Sequence, residues 1–232
     1  MRIDTISLLG KIEKCEKLPA YPSQKHNVEL KIAQILVKLL EDRKRLNRVD
    51  VAELLGKSFW KYGFVADALS KTLRCDRSWL VRVCAAESLG IKKYTKGIPD
   101  LIQALHDTNR VVRGYSAEAL AKMGDFRIIT FINERLKRER SSYVKLKLFA
   151  ALYALGDIKM LLKVVKMLSS RQVYVRNNAV NILLDVACKT NSNIILPYFI
   201  KALKNESKPH IAKSLRYGIR RLRASGGIRD GS

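Results

Sequence analysis

The chain is 232 residues long, enough for one ordinary domain or one continuous repeat array with a substantial core. Apolar residues make up 47 % of it, which excludes disorder as the default reading. Its 45 Lys and Arg against 21 Asp and Glu leave a formal charge of +24, an imbalance that bears on partners and solubility and puts polyanions first among partner classes.

The four cysteines, Cys15, Cys75, Cys84 and Cys188, form no CxxC pair and fall in helical apolar patterns, so they read as reduced, buried thiols. No apolar run approaches the roughly 20 residues that span a bilayer. The opening stretch "MRIDTISLLGKIEKCEK" places charges too early for a secretory signal. These features predict a soluble protein of the cytoplasm or another reducing intracellular compartment, with no membrane partner. Residues 1–23, where Pro19 and Pro22 interrupt the chain, are expected to cap the N-terminus of a repeat array over 24–223. Residues 224–232, small and Gly-rich, are expected to form a flexible tail.

In chain order, "DRKRLNRVDVAELLG" at 42–56 returns almost intact as "DRSWLVRVCAAESLG" at 76–90. The anchor then recurs at Val112–Arg113, Val144–Lys145 and Val175–Arg176, with steps of 31, 32 and 31 residues from Val81 onward; backward it reaches Arg48 and forward Ile211. A fixed period of this kind decides the architecture before any local assignment. An acid stands six residues before the basic position in four repeats: Asp42, Asp76, Asp107 and Glu139. Ser78, Asn109 and Ser141 follow two residues later and suit helix N-caps. Gly90, Gly124 and Gly156 follow apolar runs where a left-handed C-terminal cap is useful. Between these helices lie partners such as "GIPDLIQALHD", "FRIITFINERLKRE", "DIKMLLKVVKMLSS" and "IILPYFIKALKNE". Each is too short and one-sided to stand alone, so neighbours must stack.

The run D-x-x-x-x-V-R-x-x-A-A-x-x-L-G and the stretch "DTNRVVRGYSAEALAKMGD" resemble HEAT repeats, particularly the short-period HEAT-like kind of bilin lyase subunits, over about residues 24–223. The resemblance implies an all-α fold, a right-handed α-solenoid of about five to six stacked helical hairpins. It does not define an activity, because that family includes adaptors, lyase subunits, alkyl-base DNA glycosylases and a metal-dependent hydroxylase. It also implies that the motif's Asp and Arg form a hydrogen-bonded ladder between hairpins, a role carried to Asp76 with Arg82 and Asp107 with Arg113. Glu139 with Lys145 departs from the pattern by replacing a bidentate fork with a point charge. Arg176 faces Ser170, so its acid is missing.

With the ladder arginines set aside, two basic features remain. The turn entering each second helix carries Arg43, Arg77, Arg110, Arg140, Arg171 or Lys208. The helix macrodipole opposes positive charge there, so stability alone does not place it repeatedly. With free helix amides, such residues would make an anion site, and stacking at roughly 8–10 Å would align them as a ridge. The last helix, "HIAKSLRYGIRRLR", projects Lys213, Arg216 and Arg220 as one stripe. Residues 157–232 hold 15 basic against 4 acidic residues and form the electrostatic pole. Long basic side chains can also serve solubility alone.

Periodicity puts Val81, Cys84, Ala85, Ser88 and Leu89 in the core and positions 83, 86 and 87 opposite, toward the concave surface of a HEAT array. That surface would carry Val83, Glu87, Gly114, Glu118, Leu146, Ala150, Asn177 and Asn181, a set that is not basic and suits a peptide or helix better than phosphate. His26, His106 and His210 are too scattered for a metal site, and no phosphate-loop, dinucleotide or nucleophile-elbow motif occurs. The resembling hydroxylases need His-Glu pairs where Val83-Cys84 and Gly114-Tyr115 stand. A glycosylase-like site would draw on Trp60, Trp79, Tyr115 and Tyr153 with Glu87 or Glu118.

The sequence therefore predicts a non-enzymatic HEAT-like repeat binding protein with no cofactor, metal or catalytic residue. Its expected partner is nucleic acid, DNA or structured RNA, held by backbone phosphates on Arg43, Arg77, Arg110, Arg140, Arg171, Lys208, Lys213, Arg216 and Arg220. The alternative is an adaptor for an acidic protein or a helix.

Overall fold

A computed structural model of the protein describes residues 22–59, 61–188 and 190–226. Cys15, Trp60 and most of the expected N-terminal cap and C-terminal tail lie outside them. The described residues form twelve α-helices, with 3-10 turns at Thr95–Gly97, Phe126–Ile128 and Met167–Ser169. No strand occurs among them. The chain divides into two compact units, 1–131 and 132–232.

The first unit holds α1 (Pro22–Leu39), α2 (Arg45–Ser58), α3 (Gly63–Cys75), α4 (Trp79–Ile91), α5 (Ile98–Ala104) and α6 (Arg110–Met123). They pair as three hairpins. The first helices α1, α3 and α5 pack in one layer, and the second helices α2, α4 and α6 pack in another. Helix α7 (Ile129–Arg138) spans the division between units. The second unit continues with α8 (Ser142–Ala154), α9 (Met160–Lys166), α10 (Val173–Val186), α11 (Ser192–Asn205) and α12 (Pro209–Gly226), in which α8, α10 and α12 form one layer and α9 and α11 the other.

The repeat anchors occupy the core as the period requires. Val81, Val112, Val144, Val175 and Ile211 are fully buried. So are Leu55, Leu89 and Leu120 in the first unit and Leu148, Leu183 and Phe199 in the second. Each such side chain contributes about 1.5–3 kcal/mol of burial that an isolated hairpin could not realise. Pro22 does not break the chain ahead of the array. It opens α1, where its missing amide costs nothing. At the other end, α12 carries through Gly226, past the expected start of the tail.

Several local expectations change. Gly124 and Gly156 do adopt left-handed φ values of 71° and 101°. Gly90 does not; it lies inside α4, and the left-handed turn falls at Lys93. A Cβ on Gly90 would sit 2.6 Å from the Ala119 Cα, so the glycine allows α4 and α6 to approach closely. Val83, Ala86, Gly114 and Leu146 are buried and line no groove. For Val83 and Ala86 the reason is that α2, α3 and α6 pack against α4 and cover most of its circumference. Of the predicted inner-face positions, Glu87 and Glu118 in the first unit and Ala150, Asn177 and Asn181 in the second remain accessible. Among the cysteines, Cys84 is buried as expected, and burial pushes its thiol pKa up to about 11, helped by Glu53 and Glu87. Cys75 and Cys188 are exposed.

Gly90→Ala is expected to lower stability by about 1–3 kcal/mol in urea unfolding, the usual cost of forcing atoms into a packed interface. Gly63→Ala, where an added Cβ meets nothing within 4 Å, should change stability by less than about 1 kcal/mol.

Candidate polyanion interface

The turn that enters each second helix is organised by its acid. The carboxylate of Asp42 accepts the Lys44 amide at 2.6 Å, and those of Asp76 and Asp107 accept the Ser78 and Asn109 amides at 2.7 Å. In the second unit Glu139 accepts the Ser141 amide at 2.7 Å and Glu206 the Lys208 amide at 2.9 Å. Where Ser170 replaces the acid, its hydroxyl accepts the Gln172 amide at 3.2 Å. Asn109 and Ser141 also cap their helices, accepting from the Val111 and Val144 amides, whereas Ser78 makes no side-chain cap bond.

The same carboxylates receive the guanidinium of the preceding repeat. Arg48 donates Nε and Nη2 to Asp76 at 2.7 and 3.0 Å, and Arg82 donates to Asp107 at 2.7 and 2.8 Å. Arg176 makes the equivalent fork to Glu206 at 2.7 and 2.9 Å. Each arginine turns Nη1 the other way, onto the main-chain carbonyl six residues earlier: Asp42, Asp76 and Ser170, at 2.8, 2.8 and 2.9 Å. The ladder is therefore shifted by one repeat from the expected pairing. Arg82 meets its own Asp76 through the backbone carbonyl and gives its fork to Asp107, and Arg113 likewise reaches the Asp107 carbonyl at 2.8 Å. The acid missing beside Arg176 is Glu206, from the next hairpin. Glu139 also accepts from Arg135 of α7, four residues earlier, with Nε at 3.0 Å.

This arrangement leaves the neighbouring basic residues outward. Arg43, Arg77, Arg110, Arg140, Arg171 and Lys208 are all exposed. Arg77 donates to the Arg43 carbonyl at 3.0 Å, joining consecutive turns of the first unit. Among the described residues no carboxylate pairs with Arg43, Arg77, Arg140, Arg171 or Lys208. In these turns an amide is already taken by the turn's own acid, or by Ser170, which leaves the guanidinium and ammonium groups as exposed donors. On α12, Ile211, Leu215, Ile219 and Leu222 are buried, while Lys213, Arg216 and Arg220 are exposed, with Tyr217 and Arg221 beside them. Sequence reading missed the last two. Carrying the inner-face register of Val83 and Glu87 forward from Ile211 would have reached Lys213 and Tyr217.

Of the residues weighed for base excision, Trp60 lies outside the described residues. Trp79 stays 41 % exposed, and the Tyr153 hydroxyl accepts from Asn191 Nδ2 at 3.0 Å in the second unit. Tyr115 is half-buried, and desolvation together with Glu87 and Glu118 raises the pKa of its hydroxyl. No cluster of three metal-ligating side chains occurs among the described residues, and His26, His106 and His210 are exposed.

Residues 66–156 match the sequence profile of HEAT repeats. The chain's helical hairpins are also similar to those of the YibA protein of Escherichia coli, at 19 % identity and a TM-score of 0.54 over 97 % of this chain and 80 % of that one. The archaeal HEAT-like repeats protein of Thermococcus onnurineus NA1 matches at 15 % identity and a TM-score of 0.49, over 95 % and 94 % of the two chains. The complex of CpcE and CpcF of phycocyanin lyase from Nostoc sp. PCC7120 matches at 18 % identity and 0.46, over 82 % and 94 %. The likeness to YibA establishes an α-helical repeat fold and no activity. No curated protein matches the chain. No helix among the described residues is long and apolar enough to cross a membrane.

The Arg48–Asp76 pair, with side chains 4 % and 8 % exposed, should be costly to break. Arg48→Ala is expected to lower stability by about 3–5 kcal/mol, because it strands a buried carboxylate; Arg77→Ala should stay within about 0.5 kcal/mol. Calorimetry of the two variants checks this. The Arg176 guanidinium and turn amides hold the Glu206 carboxyl below the usual glutamate range. Its stabilisation is therefore present above the unfolded-state pKa and is lost as pH falls through the lower folded-state value. Glu206→Gln should flatten the acid limb of the curve of melting temperature against pH.

Proposed function

We propose that this protein is a non-enzymatic HEAT-like repeat scaffold that binds nucleic acid through backbone phosphates. The observation that carries the reading is the division of labour in the turns: the acids serve the ladder, while the adjacent Arg43, Arg77, Arg140, Arg171 and Lys208 are exposed without a carboxylate among the described residues. Charge supports it further. Residues 132–232 hold 21 Lys and Arg against 6 Asp and Glu, whereas residues 1–131 hold 24 against 15. Exposed cations of this kind offer no reacting group, so the proposed role is binding by counterion release. Lys213, Arg216 and Arg220 extend the cationic surface onto the last helix of the second unit.

A repeat scaffold is also compatible with an acidic protein partner. A helix held in the groove by Leu146 has little support, because Leu146 is fully buried.

Affinity for a 20-base-pair DNA or structured RNA probe should fall steeply with salt, by about 0.9 log unit per tenfold increase in salt for each phosphate contact. Charge reversal of Arg140, Arg171 and Arg216 together should weaken binding at least about tenfold without lowering the melting temperature. Salt-independent binding, or none at low salt, would discard the proposal. Co-purification of a protein partner that survives nuclease treatment would favour the adaptor instead.

A further inference from the structure

Among the cations of α12 stands a ring that phosphate contacts alone do not explain. Tyr217 is 56 % exposed. Lys213 and Arg216 precede it and Arg220 and Arg221 follow it, all exposed. Positions 213, 220 and 221 lie one turn away along the same side of the helix, about 5.4 Å along its axis. The Phe126 ring is also exposed, but the guanidinium of its neighbour Arg127 is tied to Asp125 at 2.7 Å.

The ring stands on a fixed support. Gly218, the next residue, lies so close to α10 and α11 that a Cβ there would be 2.4 Å from Phe199 Cε2 and 2.8 Å from Leu184 Cδ2. Arg221 Nη1 donates to the Leu184 carbonyl at 3.1 Å. These contacts set the rotation of α12 beside Tyr217 and so set where the ring points. On α10, the exposed Asn181 lies about one turn before Leu184, as Tyr217 lies one turn before Arg221 on α12. An amide able to bond a base edge is thus carried by the helix packed against the one bearing the ring.

We infer that Tyr217 is a stacking platform for an unpaired nucleobase, and that the α12 surface takes single-stranded nucleic acid, with flanking phosphates on Lys213, Arg216, Arg220 and Arg221. This rests on the phosphate-binding reading above and narrows its substrate class. In a duplex the base faces are covered by neighbouring base pairs, so a tyrosine on a helix surface finds no face to stack on. A single strand offers its base faces, and an aromatic set among cations is the arrangement that gains from both stacking and phosphate neutralisation. Stacking tolerates any base, so the site has weak sequence preference.

Fluorescence anisotropy at one salt concentration distinguishes the cases, using 20-nucleotide single-stranded DNA, the same sequence as RNA, the DNA duplex and inorganic polyphosphate as probes. The wild-type chain should favour the single strands. Tyr217→Ala should weaken single-strand binding about tenfold or more, leave duplex and polyphosphate binding within about twofold, and be rescued by Tyr217→Phe. Tyr217→Trp should lose indole emission on adding single strands and keep it with polyphosphate. The DNA and RNA arms identify which strand is preferred. If Tyr217→Ala changes all probes equally or none, the stacking site is overturned while phosphate binding stands. If the wild-type chain binds no polyanion at low salt, the phosphate reading itself fails.

Discussion

The interaction on which the rest depends is the arginine that bridges two turns. In Arg48, Arg82 and Arg176 one guanidinium nitrogen satisfies a carbonyl in the arginine's own repeat, while the other two clamp a carboxylate in the next. That carboxylate also accepts an amide of its own turn. Each link therefore shapes two turns and joins two hairpins at once. A buried ion pair gains little net stability over a well-packed apolar pair, but it is expensive to break and specific in geometry. Its value here is register: a hairpin displaced along its neighbour would leave a buried charge unmatched.

Using acids in this way has an electrostatic consequence. With 21 carboxylates in the chain and several committed to the ladder, the surface balance shifts further toward its 45 cations. Arg43, Arg77 and Arg140, each directly after an acid, project outward into solvent with no carboxylate partner among the described residues. The second unit is the more extreme case, and its last helix presents one apolar face to the core and one basic face to solvent. The same ladder that holds the hairpins in register thus spaces the exposed charges by one repeat within each unit, which suits a polymeric anion better than a compact one.

Much of the fold was legible because the period forces it. Val81, Val112, Val144 and Val175 announce one buried helix each, and Gly124 and Gly156 mark the ends of two. The ladder was legible in its members but not in its partners: a carboxylate 25–30 residues downstream is no nearer in pattern than one six residues upstream, and Glu206 is further hidden by a 36-residue step. The groove was overdrawn because periodicity describes a helix with one covered side, whereas α4 is covered on most sides, burying Val83 and Ala86. Gly90 looked like a cap because close helix packing and a left-handed turn demand the same residue. Tyr217 went unremarked since an aromatic at helical spacing usually belongs to a core, and only its exposure separates the two cases.

The arginines thus fall into two populations, one sealed in the ladder and one proposed to be open to phosphate. Side-chain 15N NMR of the arginine Nε–H groups, recorded while titrating a short oligonucleotide, tests this division directly. Signals of Arg43, Arg77, Arg140, Arg171 and Arg216 should move with added ligand, while those of Arg48, Arg82 and Arg176 stay fixed and exchange slowly with water. Movement confined to the ladder arginines, or uniform movement across both groups, would contradict it.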